Sequence, residues 1–538
     1  MTSDALPEHI AALLDPTVYP HPVGEVELVQ THISYVLLAG EMVYKIKKPL
    51  DLGFLNFTTL RRRHYYCRQE VILNRRLCAH TYLGVVPITR QADTFAIGGR
   101  GKVIDYAVQM RRLPADQMMD RLLDDGKLEP EMVDQLAETI AEFHARSETS
   151  KAIETFGSPK TIERNWTENF EQSQPYIGRT LSNWQASLLG ESVTAFMTRN
   201  RERFHERVRS GRIRDCHGDL RASAVCFTDD ICVYDCIEFN RRFRYGDVAS
   251  EVAFLAMDLD RRGRSDLAER FVSAYERVSE DATLRHVLDF YLCYRAYVRG
   301  KVNSFQIDEP EIPEQAKAAA RETAHTAFAL ACEYAGRFDV PLLIVMTGLS
   351  GTGKSAVATR LASARGMHVI ASDVVRKELA GIPASEHRYA GYQQGLYATE
   401  QTARTYAALI DRARSSLSSG QSVILDATFQ QRSQRADAFA MARDVGALAF
   451  CVETVADDEI VRQRLAEREH DPTTRSDARW ETYVAQRRVY EPVNELNDWQ
   501  HLRIDSVGLL DDVVANTLSA LSARLTPEPF DTASVERH

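Results

Sequence analysis

The sequence predicts two domains, an α+β N-terminal domain with two lobes and an α/β C-terminal domain built on a parallel sheet. Three observations predict this arrangement. Strand-like runs open the chain and mostly helical runs follow them. A strand and a helix flank a glycine-rich loop at 348–355, and a polar, acidic stretch at 306–315 separates the two patterns. A chain of 538 residues is long enough to bury more than one hydrophobic core.

Composition excludes several classes of protein. Apolar residues make up 44% and charged residues 26% of the chain, which is typical of a soluble globular protein. No apolar run approaches the roughly 18 residues of a membrane helix, and the N-terminus lacks the basic and apolar regions of a secretory signal. The net charge of −10 argues against a nucleic-acid coat protein or a membrane-surface protein. We therefore expect a cytoplasmic protein without membrane contact.

Nine cysteines are scattered along the chain, a pattern that does not indicate a disulfide framework. Cys226, Cys232 and Cys236 follow His217 closely, so a zinc site is an alternative to be considered. Their spacing contains no CxxC pair, and they fall in apolar, strand-like runs. We expect them to be small buried side chains rather than metal ligands.

The first domain begins with a predicted hairpin, in which strands 32–39 and 42–48 are joined through Gly40 and Glu41. The further elements predicted in order are a helix at about 58–79, a strand at 103–113, helices through 144, a strand-to-loop segment at 217–220, a strand at 231–235 and helices from 247 to 336. Strands that precede helices in this way favour an α+β fold with two lobes.

The domain boundary is predicted from the stretch QIDEPEIPEQ at 306–315, which is acidic and contains proline. An alanine-rich run at 316–335 follows it, with apolar residues at helical spacing. The apolar strand LLIVMT comes shortly afterwards. We place the boundary there, which gives domains at 1–336 and 337–538.

The second domain carries the more specific motif. Residues 348–355, GLSGTGKS, follow the predicted strand 342–347 and precede a helical pattern at 356–364, which is the context of a phosphate-binding loop. Gly348, Gly351 and Gly353 let backbone N–H groups turn toward a β-phosphate. Lys354 would reach the β- and γ-phosphates and Ser355 would ligate Mg²⁺. A chance glycine-rich turn is the alternative, and the flanking strand and helix argue against it.

Two acidic residues follow predicted strands of this domain. Asp373 is predicted at the end of a strand, with Arg376 one helical turn later, so both face one cleft as a proton acceptor and a cation for an anionic group. Asp426 ends the strand SVILDATF and is a candidate Mg²⁺ ligand. The alternatives are a capping aspartate with a solvated arginine, and an aspartate that caps a turn.

Arg464 and Arg468 lie four residues apart, on one face of a predicted helix. Such a pair suits a segment that closes over phosphates. Surface arginines paired with the neighbouring glutamates are the alternative.

Residues 340–510 resemble the small P-loop kinases of the gluconate kinase, polynucleotide 5′-kinase, zeta-toxin and chloramphenicol phosphotransferase types. The resemblance rests on GLSGTGKS, on Asp373 with Arg376, on LDATF and on the arginines at 464 and 468. It implies phosphorylation of a hydroxyl group by ATP and Mg²⁺, with Asp373 as the general base and Arg376 as a substrate or phosphate clamp. Sugars, nucleotide sugars, antibiotics and polynucleotide ends all remain open as acceptors, and the acidic chain disfavours long nucleic acid.

The first domain contains a second set of candidates. Asp219 lies in the segment CHGDL, and Asp235 ends a strand sixteen residues later, which is the two-acid arrangement of a kinase site. Lys45 on a strand and Glu70 on the following helix are placed like the ion pair that anchors phosphates in protein-kinase-like folds. A solvated edge-strand lysine and a surface glutamate are the alternatives.

Residues 30–300 resemble the aminoglycoside phosphotransferase, choline kinase and maltokinase group, chiefly at HGDL and DCIEF. The resemblance implies a protein-kinase-like fold in which Lys45 holds the α- and β-phosphates and pairs with Glu70, with Lys47 as the alternative lysine. It implies Asp219 as the catalytic base and Asp235 as the Mg²⁺ ligand. Glu238 would assist at the metal, and Asp247 would support the site.

One position departs from that family. The family places a metal-binding Asn five residues after its catalytic Asp, and this chain has Ala224 there. An active kinase, a binding or regulatory module and an unrelated fold therefore stay open for the first domain.

The whole chain resembles a bacterial family of fused kinases, through THISYVLLAGEMVYKIKKPLDLGF, CHGDL, DCIEFN, FRYGD and EVAFLAMDLD. We expect an ATP- and Mg²⁺-dependent phosphotransferase that acts on a hydroxyl of a small molecule. A polynucleotide 5′-hydroxyl kinase, a nucleotide-gated regulator with a pseudokinase domain and a zeta-like toxin are the alternatives. The oligomeric state is left open.

Overall fold

The computed structural model describes residues 6–310, 312–383, 394–468 and 478–525. The strands are β1 (Val26–Gln30), β2 (Ser34–Ala39), β3 (Met42–Lys47), β4 (Tyr82–Gln91), β5 (Thr94–Ile97), β6 (Lys102–Arg111), β7 (Ile213–Asp215), β8 (Val225–Phe227), β9 (Ile231–Val233), β10 (Tyr245–Asp247), β11 (Leu342–Thr347), β12 (His368–Ala371), β13 (Val423–Asp426), β14 (Leu448–Val455) and β15 (His501–Asp505).

The helices are α1 (Glu8–Ala12), α2 (Leu60–Asn74), α3 (Met119–Asp124), α4 (Pro130–Arg146), α5 (Lys151–Glu154), α6 (Pro159–Ser173), α7 (Asn183–Arg199), α8 (Arg201–Arg209), α9 (Arg241–Arg244), α10 (Val248–Arg261), α11 (Ser265–Ser279), α12 (Arg285–Ile307), α13 (Glu314–Ala335), α14 (Lys354–Arg365), α15 (Ser372–Leu379), α16 (Thr399–Ser418), α17 (Arg432–Asp444), α18 (Asp458–Arg468), α19 (Trp480–Val489) and α20 (Leu510–Leu525). None of these helices is long and apolar enough to cross a membrane.

The chain forms two compact units. The first, called here the antiparallel unit, comprises residues 1–162 and 203–295, and the second, the parallel unit, comprises 163–202 and 296–538. The boundary at 336 stays a prediction.

The antiparallel unit contains a six-stranded sheet of order β1-β2-β3-β6-β4-β5. The predicted hairpin is present as β2 and β3, which pair from Ala39 opposite Met42. Gly40 has φ +62° between them, a backbone conformation that glycine adopts without steric cost. Helix α2 packs on one face of the sheet through an apolar cluster that includes Cys67, Val71 and Val108. This packing fixes α2 beside β3, where the predicted lysines lie.

The cysteine prediction is wrong at one place. Cys78, just after α2, forms a disulfide with Cys232 on β9 across 154 residues of sequence. The short hairpin of β8 and β9 brings Cys232 against the end of α2, a proximity that local spacing does not reveal. Cys226 and Cys236 are buried thiols, as expected.

The parallel unit contains a five-stranded parallel sheet of order β12-β13-β11-β14-β15. The predicted strand 342–347 is β11, at the centre of the sheet, and all but one of its residues are buried. Apolar side chains such as Leu343, Val345 and Leu425 form a core with residues of α16 and α17. The carboxyl ends of β11, β12 and β13 therefore lie at one edge, where open α/β sheets bind ligands.

Candidate active sites

In the antiparallel unit, β3 presents two lysines to one buried glutamate. Lys45 and Lys47 are two residues apart and share a face of the strand. One carboxylate oxygen of Glu70, on α2, lies 2.8 Å from Lys45 Nζ as an ion pair, and the other accepts a hydrogen bond from Lys47 Nζ at 2.6 Å. Lys47 also pairs with Glu238. The two lysines that the sequence offered as alternatives thus both pair with Glu70.

Asp235 closes this network at its solvent side. Its carboxylate lies 2.6 Å from Lys45 Nζ, and its side chain is 45% exposed, so it is accessible to a ligand. Its backbone has φ +65°, a strained conformation for a residue with a side chain, and its N–H donates to the Tyr82 hydroxyl at 3.2 Å. The ammonium of Lys45 lowers the pKa of Asp235 to about 2. Burial opposes the charge on Lys45, but Asp235 and Glu70 outweigh it and raise the pKa of Lys45.

The segment that carries Asp219 is held by a residue that sequence analysis missed. Glu251, in α10, accepts from the backbone N–H of His217 at 2.8 Å and of Gly218 at 2.5 Å. His144 bonds to Glu251 at 2.9 Å and to the Tyr275 hydroxyl at 2.9 Å. Burial disfavours the charge on Glu251, yet hydrogen bonds from His144 and the backbone lower its pKa to about 2. Glu251 is the first residue of EVAFLAMDLD, one of the stretches that carry the resemblance to the fused kinases, and this was the available signal.

Gly218 is required at the centre of this segment. Its φ of +91° favours glycine, and a Cβ there would lie 2.8 Å from the Phe243 carbonyl oxygen. The neighbouring Asp219 pairs with Arg221 at 2.8 Å, and burial raises the pKa of the Asp219 carboxyl. A raised pKa makes the Asp219 carboxylate a stronger proton acceptor than an exposed aspartate.

The structure also shows what surrounds Asp247 and Ala224, two further positions singled out from the sequence. Asp247 caps α10 and pairs with the buried Arg207 at 2.6 Å, so it anchors β10 beside β7, the strand that leads to His217. Ala224 is buried in a short turn at 222–224 and offers no side-chain ligand.

In the parallel unit, the loop 348–355 has the backbone that its glycines predict. Gly348, Gly351 and Gly353 have φ values of +129°, +85° and +90°. A Cβ on Gly348 would lie 2.5 Å from the Thr454 carbonyl oxygen, so the loop packs too closely on β14 for any other residue. Helix α14 begins at Lys354, and its N-terminal N–H groups face the loop.

Lys354 is buried beneath this loop. Its Nζ donates to the Leu349 carbonyl oxygen at 2.7 Å, and among the residues that the structure describes it makes no ion pair. Burial lowers its pKa to about 8, against the attraction of Asp426 and Asp373. The positive charge of Lys354 is thus incompletely neutralised, and a negatively charged phosphate group would neutralise it.

One cavity of about 1000 Å³ brings the predicted residues of the parallel unit together. Its lining includes Gly351, Gly353, Lys354, Ser355, Asp373, Arg376, Asp426 and Arg468. The predicted position of Asp373 needs one correction. It lies in the first turn of α15 rather than at the end of a strand, because β12 ends at Ala371.

Arg376 is positioned by neighbouring polar groups. Its guanidinium lies 4.6 Å from the centre of the Tyr397 ring and donates to the Thr402 hydroxyl at 3.2 Å. Its buried Nε has no hydrogen-bond partner among the described residues. A buried N–H without a partner at a cavity wall is a candidate donor to an anionic ligand.

The two predicted arginines of α18, Arg464 and Arg468, have partly different surroundings. Arg468 lines the large cavity, whereas Arg464 donates to the Ser506 hydroxyl at 3.1 Å and to its carbonyl at 2.7 Å. Both arginines line a second cavity of about 320 Å³, together with Gly353, Val357 and Gly508. That this segment closes over phosphates stays a prediction.

Gln486, on α19, is the residue of this site that sequence analysis missed. Its side-chain oxygen accepts from the Ser350 N–H at 2.9 Å, across 136 residues of sequence. No local motif marks Gln486, because its partner in the phosphate loop lies far away in the sequence.

Comparison with known proteins agrees with this division into two sites. Residues 60–291 match the phosphotransferase enzyme family, and residues 343–493 match an AAA domain family. An uncharacterized protein of Mycobacterium tuberculosis is 32% identical over 434 residues, which are 80% of this chain and 84% of that protein. A protein of Mycobacterium bovis matches to the same extent.

The chain belongs to the same family as these two mycobacterial proteins, a family of fused kinases. A phosphotransferase domain precedes a P-loop kinase domain in it, as the sequence predicted, and the protein is an ATP-dependent phosphotransferase.

Solved kinases share shorter stretches with the chain. A gluconokinase from Sinorhizobium meliloti is 22% identical and covers 38% of this chain and 99% of its own, with a TM-score of 0.25. The APS kinase of Mycobacterium tuberculosis is 20% identical and covers 34% of this chain and 98% of its own, also with a TM-score of 0.25.

Proposed function

We propose that the parallel unit transfers the γ-phosphoryl group of ATP, in the presence of Mg²⁺, to a hydroxyl group of a small polar molecule. The observation that carries this proposal is the single cavity shared by Lys354, Asp373, Arg376 and Asp426. Its volume of about 1000 Å³ suffices for a triphosphate and a small acceptor together.

The phosphates bind at the loop. Backbone N–H groups of residues 351–355 and the N-terminus of α14 would surround the β-phosphate, and Lys354 would leave the Leu349 carbonyl for the β- and γ-phosphates. The second cavity, beside Arg464, suits the nucleobase because it adjoins Gly353 and continues from the loop. A planar guanidinium held by Ser506 offers a surface on which a base stacks.

Ser355 and Asp426 are the proposed Mg²⁺ ligands. Both line the cavity beside Lys354, and a hydroxyl and a carboxylate are oxygen ligands of the kind that Mg²⁺ takes. Bound there, Mg²⁺ would neutralise charge on the β- and γ-phosphates.

Transfer itself depends on positioning and charge. Asp373 would accept the proton of the attacking hydroxyl, and Arg376 and Arg468 would stabilise negative charge on the transferring group. The lining of the cavity also includes Thr402, Tyr406 and Gln430, whose polar atoms suit a hydroxylated acceptor. Such a wall favours a sugar-like or nucleoside-like molecule.

For the antiparallel unit we propose a second nucleotide site. Lys45 would release Asp235 and bind the phosphates while it keeps its ion pair with Glu70. Asp235 would then be free to bind Mg²⁺. Asp219 would be the base if transfer occurs there. Ala224 offers no ligand, so Asp235 and the neighbouring Glu238 are the carboxylates proposed for a metal, and a nucleotide-binding regulator is the alternative function.

Calorimetric titration of the full chain with a non-hydrolysable Mg·ATP analogue tests both proposals. We expect two sites in the wild type and one in Lys354→Ala. One site falling to none would leave the antiparallel unit without nucleotide binding, and no loss in Lys354→Ala would disprove the P-loop assignment. A screen of sugars, nucleosides and a 5′-hydroxyl oligonucleotide with labelled ATP then identifies the acceptor. Transfer to the oligonucleotide with a steep salt dependence would indicate a polynucleotide kinase instead.

A further inference from the structure

The main chain at Asp235, the proposed Mg²⁺ ligand of the antiparallel unit, has a rare conformation. Its φ of +65° lies in the left-handed region, which residues with a side chain seldom adopt. Such a conformation persists only where the surrounding structure holds it. The direction in which the Asp235 carboxylate points therefore depends on the groups that fix this stretch of main chain.

Two side chains bind consecutive main-chain N–H groups at this point. The hydroxyl of Tyr82, the first residue of β4, accepts from the N–H of Asp235 at 3.2 Å. The Oδ1 of Asn74, the last residue of α2, accepts from the N–H of Cys236 at 2.9 Å. Neither contact uses the Asp235 carboxylate, so neither has to break when Lys45 releases that carboxylate to bind phosphates.

Both acceptors are fixed by buried surroundings. Tyr82 is buried, and its ring lies with Val71 in the apolar cluster between α2 and the sheet. The Arg75 Nε donates to the main-chain carbonyl of Tyr82 at 2.8 Å. Asn74 is also buried, and its Nδ2 donates to the Glu70 carbonyl at 2.9 Å. The positions of the two acceptors are thus set by the core rather than by mobile surface side chains.

The consequence concerns metal binding. Because Ala224 offers no ligand, the proposed metal site depends strongly on the direction of the Asp235 carboxylate. A main-chain N–H that loses its acceptor inside the protein is costly, and the main chain relieves that cost by turning. We propose that Tyr82 is a positioning residue, whose hydroxyl holds Asp235 in the left-handed conformation and so directs its carboxylate toward Mg²⁺. This inference rests on the proposed nucleotide site of the antiparallel unit.

Two matched variants separate positioning from simple support of the fold. Tyr82→Phe removes the hydroxyl and keeps the ring in the core. Tyr44→Phe is the control, because Tyr44 is also buried and its hydroxyl lies 2.9 Å from His21 Nε2 and accepts from Gln109 Nε2 at 3.2 Å. Each variant loses the hydrogen bonds of one tyrosine hydroxyl, so a general loss of stability would appear in both.

The first measurement is the calorimetric affinity for a non-hydrolysable ATP analogue, with Mg²⁺ and with EDTA. The full chain carries Lys354→Ala in every case, so that only the proposed site of the antiparallel unit is observed. We expect Tyr82→Phe to weaken binding about tenfold with Mg²⁺ and less than about twofold without metal, because the lysine that binds the phosphates is unchanged. Tyr44→Phe should leave both affinities unchanged.

Hydrogen exchange followed by mass spectrometry tests the main-chain contact without nucleotide. In the full chain, Tyr82→Phe should speed exchange in the peptic peptide that contains the Asp235 N–H, since this group then lacks its acceptor. Tyr44→Phe should leave exchange in that peptide unchanged.

The inference is overturned if Tyr82→Phe retains the affinity with Mg²⁺, or if its affinity falls by the same factor with and without metal. An equal loss in Tyr44→Phe would also overturn it, because the hydroxyl would then support only the fold. If the Lys354→Ala chain binds no analogue, the second nucleotide site itself is wrong. The exchange measurement still decides in that case whether Tyr82 holds the Asp235 main chain, so the two failures are distinguishable.

Discussion

Lys45 and Lys354 are both proposed to bind nucleotide phosphates, but the protein neutralises them differently. Lys45 already has two carboxylate partners, Glu70 at 2.8 Å and Asp235 at 2.6 Å, and they raise its pKa. Lys354 contacts a carbonyl oxygen instead, and burial lowers its pKa to about 8. A phosphate would complete the charge balance around Lys354, whereas at Lys45 it would have to displace a carboxylate.

This difference in charge balance indicates the role of each lysine when no nucleotide is bound. In the antiparallel unit the ion pairs join β3, α2 and the segment after β9, so the site is also a structural connection. In the parallel unit the loop backbone and α14 form the site, and the lysine contributes little to its architecture. Removing charge should therefore affect stability at the first site and nucleotide binding at the second.

The largest expected effect is on the stability of the antiparallel unit. Glu70→Gln removes a fully buried carboxylate that two lysines share and leaves each lysine with one carboxylate partner, so we expect a cost near the lower end of the about 3–5 kcal/mol of a broken buried ion pair. We expect the unit to unfold at a urea concentration lower by about 1–2 M. The matched control is Glu138→Gln, an exposed glutamate of α4, which should leave the transition unchanged.

The four tryptophans allow the two units to be followed separately. All of them lie in the parallel unit, at positions 166, 184, 480 and 499. Trp fluorescence therefore reports on that unit, whereas far-UV circular dichroism reports on both. An early transition seen only by circular dichroism in Glu70→Gln would support the comparison. If both signals stay at the wild-type urea concentration, the shared ion pair is not a structural connection.

A second prediction concerns acid stability of the same unit. The pKa of Glu251 is lowered to about 2 from a usual value of 4.5. It therefore contributes stability above pH 4.5, on the order of 3 kcal/mol, and this contribution is lost as the pH falls toward 2. Glu251→Gln should be less stable than the wild type at pH 6, and the gap should shrink by about half at pH 3.

Urea titrations followed by circular dichroism at pH 6, 5, 4 and 3 measure this gap. His144 needs a separate check, because it is hydrogen-bonded to Glu251 and its loss would leave the carboxylate with fewer donors. His144→Gln should reduce the same gap only in part. A gap of constant size across this pH range would show that Glu251 contributes through packing rather than through its charge.

Local sequence patterns predicted the elements that carry the two sites. The hairpin with Lys45, the helix with Glu70 and the phosphate loop lie where their periodicity and glycines indicate. β4 was not predicted, because Gly84 and Pro87 interrupt its pattern. The strand accommodates them through register shifts against β6 at 82–84 and 88–89.

The residues that sequence analysis missed have partners far along the chain. Gln486 contacts Ser350, Glu251 contacts His217, and Cys78 is bonded to Cys232. Each contact joins elements that are distant in the sequence, so local spacing does not reveal the partner. For Asp373 the sequence pattern was recognised, but the strand before it ends two residues earlier than predicted.

The smallest expected effect concerns the proposed nucleobase pocket of the parallel unit. Arg464→Lys keeps the positive charge but loses the planar group that contacts Ser506 through two N–H donors. We expect ATP-analogue binding at the P-loop site to weaken by about 3- to 10-fold. The affinity of the proposed site in the antiparallel unit should stay unchanged. Arg443→Lys, at an exposed position of α17, is the control for loss of an arginine from the same unit. If inorganic triphosphate binding weakens as much as ATP binding in Arg464→Lys, Arg464 acts on the phosphates and the smaller cavity does not hold the base.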